Sequence, residues 1–197
     1  MSAPNQIDNS EEIILGSGDT YICEYSGVIP EDSVIETDAN RVGNTKGGAS
    51  VEYSATSQTV KDDLGRVSKT VTTEETVKFK TGMITWSPAY IKALIATARI
   101  DETTKPGHRL IKIGGLANQN KKKYLFRFVH TRQDGRKLRC TITGKNTGTL
   151  TLAFNNENPS TIDSEITADT LDKEGTLVIF DNELPTESTG TEQTTSS

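Results

Sequence analysis

Residues 49–80 constrain the fold more than any other stretch of the chain. Residues 49–60 (ASVEYSATSQTV) alternate as a strand does, with Val51, Tyr53 and Ala55 on one face. Asp62-Asp63-Leu64-Gly65 is turn-forming sequence, and residues 66–80 (RVSKTVTTEETVKFK) return with Val67, Val71, Val77 and Phe79. The two runs make a long antiparallel hairpin with many polar outward positions. A two-stranded ribbon is marginal alone and must pair with something else.

The remaining segments supply more of the same material. Strand signals occur at Ile13–Leu15, Thr20–Tyr25, Arg109–Ile113, Lys123–Thr131, Lys137–Thr143, Thr149–Phe154, Ser164–Leu171 and Thr176–Phe180. Gln133-Asp134-Gly135 is a good hairpin turn between two of them. One helix is expected, at residues 88–98. Ser87 is placed to cap it, Pro88 fits its first position, and Tyr90, Ile91, Leu94, Ile95 and Ala98 recur at helical spacing. Residues 26–47 read as a long loop, broken by Gly27, Pro30, Asn40, Gly43, Asn44, Gly47 and Gly48. Many short strands, Gly-rich turns and one flanking helix predict a mainly β fold, a β-sandwich or partly closed barrel with long loop and hairpin arms. The hydrophobic fraction of 32% predicts a thin core, and 29 Thr residues suit half-exposed strands. The expected organisation is a flexible acidic N-terminal arm at 1–11, one β domain at 12–183, and a disordered polar tail at 184–197.

Charge is segregated by position. Residues 1–40 carry nine acids and no Lys or Arg; residues 41–153 carry twenty-one bases against eight acids; residues 154–197 carry ten acids and one base, Lys173. The net charge of −5 therefore hides a strong internal polarity. Unlike surfaces on one molecule allow head-to-tail binding of copies, which closes into a ring or runs on as a filament. The alternative is that folding brings the blocks together and cancels them locally.

Searches for chemistry return little. His108 and His130 are not at metal-ligand spacing, no nucleophile elbow or phosphate loop is present, and no catalytic residue, metal or cofactor is expected. Cys23 and Cys140 lie in strand-like apolar runs and read as buried thiols, with a pairing between them left open. No apolar run is long enough for a membrane span, and no secretory leader is evident, so synthesis and use in a cytoplasm are expected unless the chain leaves in a larger particle. The strongest cationic stretch is 121–139, with Lys121, Lys122, Lys123, Arg127, Arg132, Arg136, Lys137 and Arg139 against Asp134. Phe126 and Phe128 are interleaved, as in a nucleic-acid surface, but they share a face with Tyr124, as in a core stripe. The acid-rich ends of the same chain favour self-association over nucleic acid. A carbohydrate-binding sandwich is a third class, poorly served by the single Trp86.

The runs KGGASVEYSATSQTVKDDLG (46–65), KTVTTEETVKFKTGMITW (69–86), IKIGGLANQNKKKYLFRFVHTRQDGRKLRCTITGKNTGTLTLAF (111–154) and TIDSEITADTLDKEGTLVIFDNE (161–183) resemble the major tail, or tail tube, proteins of long-tailed bacteriophages. The resemblance covers about residues 12–183 and lies in strand-and-turn patterning, with no catalytic signature. It implies a tail-tube β module whose copies form a ring, usually a hexamer, with strands joined into a continuous inner barrel. The rings stack into a virion tail tube assembled in the host bacterial cytoplasm, through which DNA leaves the capsid without specific binding. It also implies other tail proteins as partners, such as tape measure and tail terminator proteins. In that frame the candidates for ring stacking are Glu31, Asp32, Arg41, Asp62, Asp63, Arg66, Arg132, Arg136 and Lys137. The candidates for an acidic lumen are Glu52, Glu74 and Glu75.

Overall fold

The computed structural model describes residues 18–61, 64, 66, 68–150 and 162–184. The expected arm at 1–11, the strand signal at Ile13–Leu15, Asp62 and Asp63, most of the Thr149–Phe154 strand and the tail from 185 lie outside the described residues.

The structure is mainly β and antiparallel. Its strands are β1 (Asp19–Tyr25), β2 (Arg41–Lys61), β3 (Ser68–Met83), β4 (Arg99–Asp101), β5 (Leu110–Lys112), β6 (Lys123–Thr131), β7 (Lys137–Asn146), β8 (Ile162–Asp169) and β9 (Val178–Asn182). Helices α1 (Asp32–Ile35) and α2 (Pro88–Leu94) and a 3-10 turn at Leu116–Asn118 complete it. Seven strands hydrogen-bond in the order β6-β1-β2-β3-β8-β7-β9, and β7 also pairs with β6. The sheet thus curls back on itself. Two seams are short: β1 meets β2 only from Asp19↔Asn44 to Tyr21↔Arg41, and β7 meets β8 only from Thr143↔Asp169 to Asn146↔Ile166. The result is a curled sheet and not a regular closed barrel. β4 and β5 form a separate small pair.

The concave side holds the core. Alternate residues point there: Ile22, Val77, Phe79, Met83, Tyr124, Phe126, Cys140, Ile142, Ile162 and Ile166. Helix α2 closes it with Tyr90, Ile91, Leu94 and the following Ala98. Ser87 caps α2 by accepting a hydrogen bond from the Tyr90 amide at 3.4 Å, and Pro88 opens it as expected. Tyr90 bonds Ser164 on β8 through the two hydroxyls at 2.5 Å, and burial pushes its phenol up to about 12. The helix ends at Leu94 and not at residue 98, because Ile95 is already extended (φ −114°, ψ 108°) where the chain turns towards β4.

The expected loop at 26–47 is interrupted within its span and replaced at its C-terminal end. Residues Asp32–Ile35 form α1, and β2 begins at Arg41. Of the glycines that suggested a loop, Gly43, Gly47 and Gly48 sit in β2. A Cβ on Gly43 would come within 2.4 Å of Thr85, so glycine here marks a close crossing. β4 was not legible: three residues are too few to show a period. Cys23 and Cys140 are both free thiols. They fall on opposite faces, because Cys140 lies in the core with Ile22, the residue before Cys23.

Close approach governs Gly144 on β7 as well, where an added Cβ would lie 2.1 Å from the Thr167 carbonyl oxygen. Backbone cannot yield as a side-chain tip can. Gly144→Ala should therefore destabilise the fold by about 1–3 kcal/mol, read as a lower urea midpoint with an unchanged slope.

Candidate self-association surface

Beyond Val51 and Val77 the β2–β3 ribbon leaves the body. Residues 52–61 and 68–75 are all exposed, on both faces. The register runs from Glu52↔Lys78 to Lys61↔Ser68, which at about 3.3 Å per residue gives an arm roughly 30 Å long. Neither edge of the arm has a neighbour among the described residues: β1 reaches β2 only at its start, and β8 reaches β3 only over Lys78–Met83. The register shifts between Thr56 and Ser57, and the extra residue on β3, Thr73, hydrogen-bonds the Thr56 carbonyl at 3.1 Å.

Cross-strand contacts keep the arm in shape. The Tyr53 hydroxyl donates to Glu75 Oε1 at 2.7 Å, and this bond raises the phenol above its usual range. Thr59 and Thr70 bond through their hydroxyls at 2.8 Å. Such pairs contribute tenths of a kcal/mol up to about 1 each. They order a ribbon without replacing a buried face. The arm's exposed apolar groups are Tyr53, Val60, Leu64 and Val71. An arm with uncovered faces and two rows of unpaired backbone groups is a template for pairing with another chain.

The lumen candidates divide by the pleat. Glu52 and Glu74 share one face with Lys78, and Glu75 points to the other with Tyr53. Glu52 also pairs with Lys80 at 2.8 Å, so it is not a bare acid.

Most of the remaining charge is spent inside the chain. The N-terminal acidic block reaches the basic block through Asp19–Arg41 at 2.6 Å and Glu24–Lys122. The C-terminal block does so through Glu165–Lys78 at 2.8 Å and Asp169–Lys123 at 3.4 Å. The densest meeting lies under α1. Arg127 on β6 and Arg139 on β7 point to the convex side, where their side chains are only 6% and 7% exposed. Glu36, just past α1, lies 2.5 Å from Arg139 Nε, 2.6 Å from Lys137 Nζ and 3.6 Å from Arg127. Asp32 pairs with Arg127, and Arg139 also holds Glu183 at 2.7 Å and Asp181 at 3.3 Å. Desolvation opposes Glu36 ionisation, yet its bonds to Arg139 and Lys137 hold the carboxyl below the usual carboxylate range.

This arrangement corrects the expectation of unlike surfaces. Local cancellation is the outcome among the described residues. Asp32 and Lys137, expected to meet a neighbour, meet the same cluster at home. Arg136 pairs with Asp134 in its own turn, and Arg41 with Asp19. Glu31 and Arg66 are exposed, and Arg132 is half-buried. The long loop is not a free arm either, since Ile35 is fully buried beneath it. In the basic stretch Phe126 is core, and Lys122, Lys123, Arg127, Arg136, Lys137 and Arg139 are ion-paired. Sequence reasoning missed Glu36 and Arg139. The signal available was Arg127 and Arg139 at non-core strand positions with an acidic segment upstream. Among the described residues no group of three or more His, Cys, Asp or Glu is placed to hold a metal ion, and no helix is long and apolar enough to cross a membrane. No protein-family model and no curated protein sequence matches this chain.

Buried and exposed ion pairs should separate cleanly by mutation. Arg139→Met leaves Glu36 buried with one fewer partner and should cost about 3–5 kcal/mol in chemical denaturation. Lys122→Met, on an exposed pair, should leave the midpoint unchanged.

Proposed function

We propose that this chain is a structural, non-enzymatic subunit that assembles with copies of itself, and that the assembly is the stacked-ring tail tube of a long-tailed bacteriophage. The observation that carries the reading is the arm: about ten residue pairs of ribbon that, among the described residues, bury nothing at home and leave both edges open. A second copy supplies what the arm lacks, and closure of a ring removes the exposed edges altogether. The patterning that resembles tail tube proteins includes this ribbon, residues 46–65 and 69–86. In this reading the curled sheet is the tail-tube-like β module, a sandwich or partly closed barrel with α2 on one flank. Six copies per ring, DNA passing through the lumen, tape measure and terminator partners and a place in the virion tail all follow from the resemblance.

The local cancellation of charge changes how assembly is expected to work. Head-to-tail attraction between oppositely charged blocks is no longer its basis. Main-chain pairing along the arm and packing of Tyr53, Val60, Leu64 and Val71 take that role. Hydrogen-bonded strand addition tolerates salt far better than contact between exposed charges does.

Ser54 and Thr76 face each other across the ribbon, so residues 55–75 can be replaced by Asn-Gly without disturbing the body. The truncated chain should melt as cooperatively as the intact one and remain monomeric in sedimentation velocity. The intact chain should give rings or tubes of uniform width by electron microscopy. Tubes formed by the truncated chain would overturn the arm assignment. Intact monomers that bind duplex DNA with steep salt dependence would replace the whole reading with a nucleic-acid module.

A further inference from the structure

Residues 26–40 cross the convex side of the sheet as a strap. Their one buried apolar side chain is Ile35, and the Glu36 side chain is 8% exposed. The strap's backbone bonds between Glu31 and Thr37 are internal: Val34 and Ile35 amides to the Glu31 carbonyl, Glu36 amide to Asp32, and Asn40 amide to Thr37. The Asn40 side chain closes the unit by donating to the Val34 and Ile35 carbonyls at 2.9 and 3.2 Å. Gly27 at one end has a φ of +100°, and at the other end the Asn40 carbonyl accepts from Ile22. The strap therefore has its own shape, and among the described residues two things hold its middle down: one isoleucine and the ion cluster.

That cluster is close to balanced. Arg127, Lys137 and Arg139 face the carboxylates of Asp32, Glu36, Asp181 and Glu183. Every packed element contributes: Asp32 and Glu36 from the strap, Arg127 from β6, Lys137 and Arg139 from β7, Asp181 from β9 and Glu183 just beyond it. From β1, Tyr21 lies in the field of Glu36 and Cys23 in that of Arg127. On the same face as Arg127 and Arg139 the sheet carries Leu125 and Thr143, both fully buried, with Thr141 at 2% exposure. Removing the strap's two carboxylate charges leaves two guanidinium groups buried with too few counter-charges, which an interior tolerates poorly. The guanidiniums regain water only if the strap lifts.

We propose that residues 26–40 are an electrostatically latched strap that lifts as a unit in acid or at high ionic strength while the sheet stays folded, uncovering the Arg127–Arg139 pair. This is a local opening, of the kind that occurs below the free energy of global unfolding. Its pH direction follows from Glu36. A carboxyl held low in the folded state stabilises fully above its ordinary value of 4.5, and the contribution drains away as pH falls through and below that value. Asp32 is half exposed, so its pairs with Arg127 and Arg139 are also open to screening, whose length shrinks to about 3 Å in 1 M salt. The proposal stands whether or not the chain assembles through its arm.

Hydrogen exchange on the intact chain, corrected for intrinsic rates, reads the latch directly. From pH 7 to pH 4, where one carboxyl with an ordinary value of 4.5 can shift the opening equilibrium about fourfold at most, and separately from 0.1 to 1 M sodium chloride at pH 7, amides of Val34, Ile35 and Glu36 should lose about two- to fourfold protection. Amides of β6 and β7 should hold theirs. Glu36→Gln should open the strap already at pH 7 and flatten its pH response, and Asp32→Asn should loosen it at pH 7. Ile35→Ala should loosen the strap yet leave that response in place. Strap amides that respond to neither acid nor salt would overturn the proposal, and so would strap and β6–β7 amides that lose protection together. The salt arm at pH 7 remains decisive if the protein aggregates near its isoelectric point of about 5.2.

Discussion

Two arginines on adjacent strands tie together parts of the chain that are about a hundred residues apart in sequence. Arg127 and Arg139 would be costly in their positions alone, since each guanidinium is nearly cut off from water. What makes them tolerable is that Glu36 and Asp32 arrive from the N-terminal acidic block, and Asp181 and Glu183 from the C-terminal one. The dependence runs both ways. Helix α1 is a single turn and too short to be stable by itself, so its position is set by the cations under it. β9 is anchored to β7 by its ladder and by Glu183, which accepts from the Lys137 amide at 2.8 Å while holding Arg139. The convex side of the sheet is thus organised by charge, and the concave side by apolar packing.

The same division explains which features were legible in the sequence. The concave side announces itself: Tyr124, Phe126 and Ile142 follow strand alternation, and Tyr90, Ile91 and Leu94 follow helical spacing, so β6, β7 and α2 were found near their true places. The Gln133-Asp134-Gly135 turn was found too, and Arg132 and Arg136 do bridge it through their backbones. The convex side gives no such period. Arg127 and Arg139 read as solvent-facing cations because burial of a charge depends on a partner brought from far away. Residues 32–35 and 41–47, expected as loop, are helix and strand for a related reason. Glycine punctuation there marks a close crossing at Gly43 and not a loop, and the single buried Ile35 carries no periodicity.

The arm was the clearest expectation, and its geometry matches the sequence pattern closely. The bulge at Thr73 was not foreseeable, because a Thr-rich run has no apolar period whose phase could slip visibly. The shift changes which residues share a face beyond Thr56, and with it the partners of Val60 and Val71. The lumen candidates lie on the body side of that shift, where simple alternation holds: Glu52 and Glu74 fall together and Glu75 falls opposite.

Cancelling the charge blocks at home has a consequence for how such a subunit avoids premature association. A chain whose acidic ends and basic middle remained on separate surfaces would attract its copies at any concentration and along many relative orientations. Once the blocks are paired internally, long-range attraction is weak, and the principal adhesive feature among the described residues is the ribbon with its open edges. Pairing through backbone hydrogen bonds is short-ranged and demands register, so it selects one geometry where diffuse charge would accept many. In the proposed tube, the ion cluster and the arm then do complementary work: the first removes unspecific attraction, and the second leaves one directional means of joining the next copy.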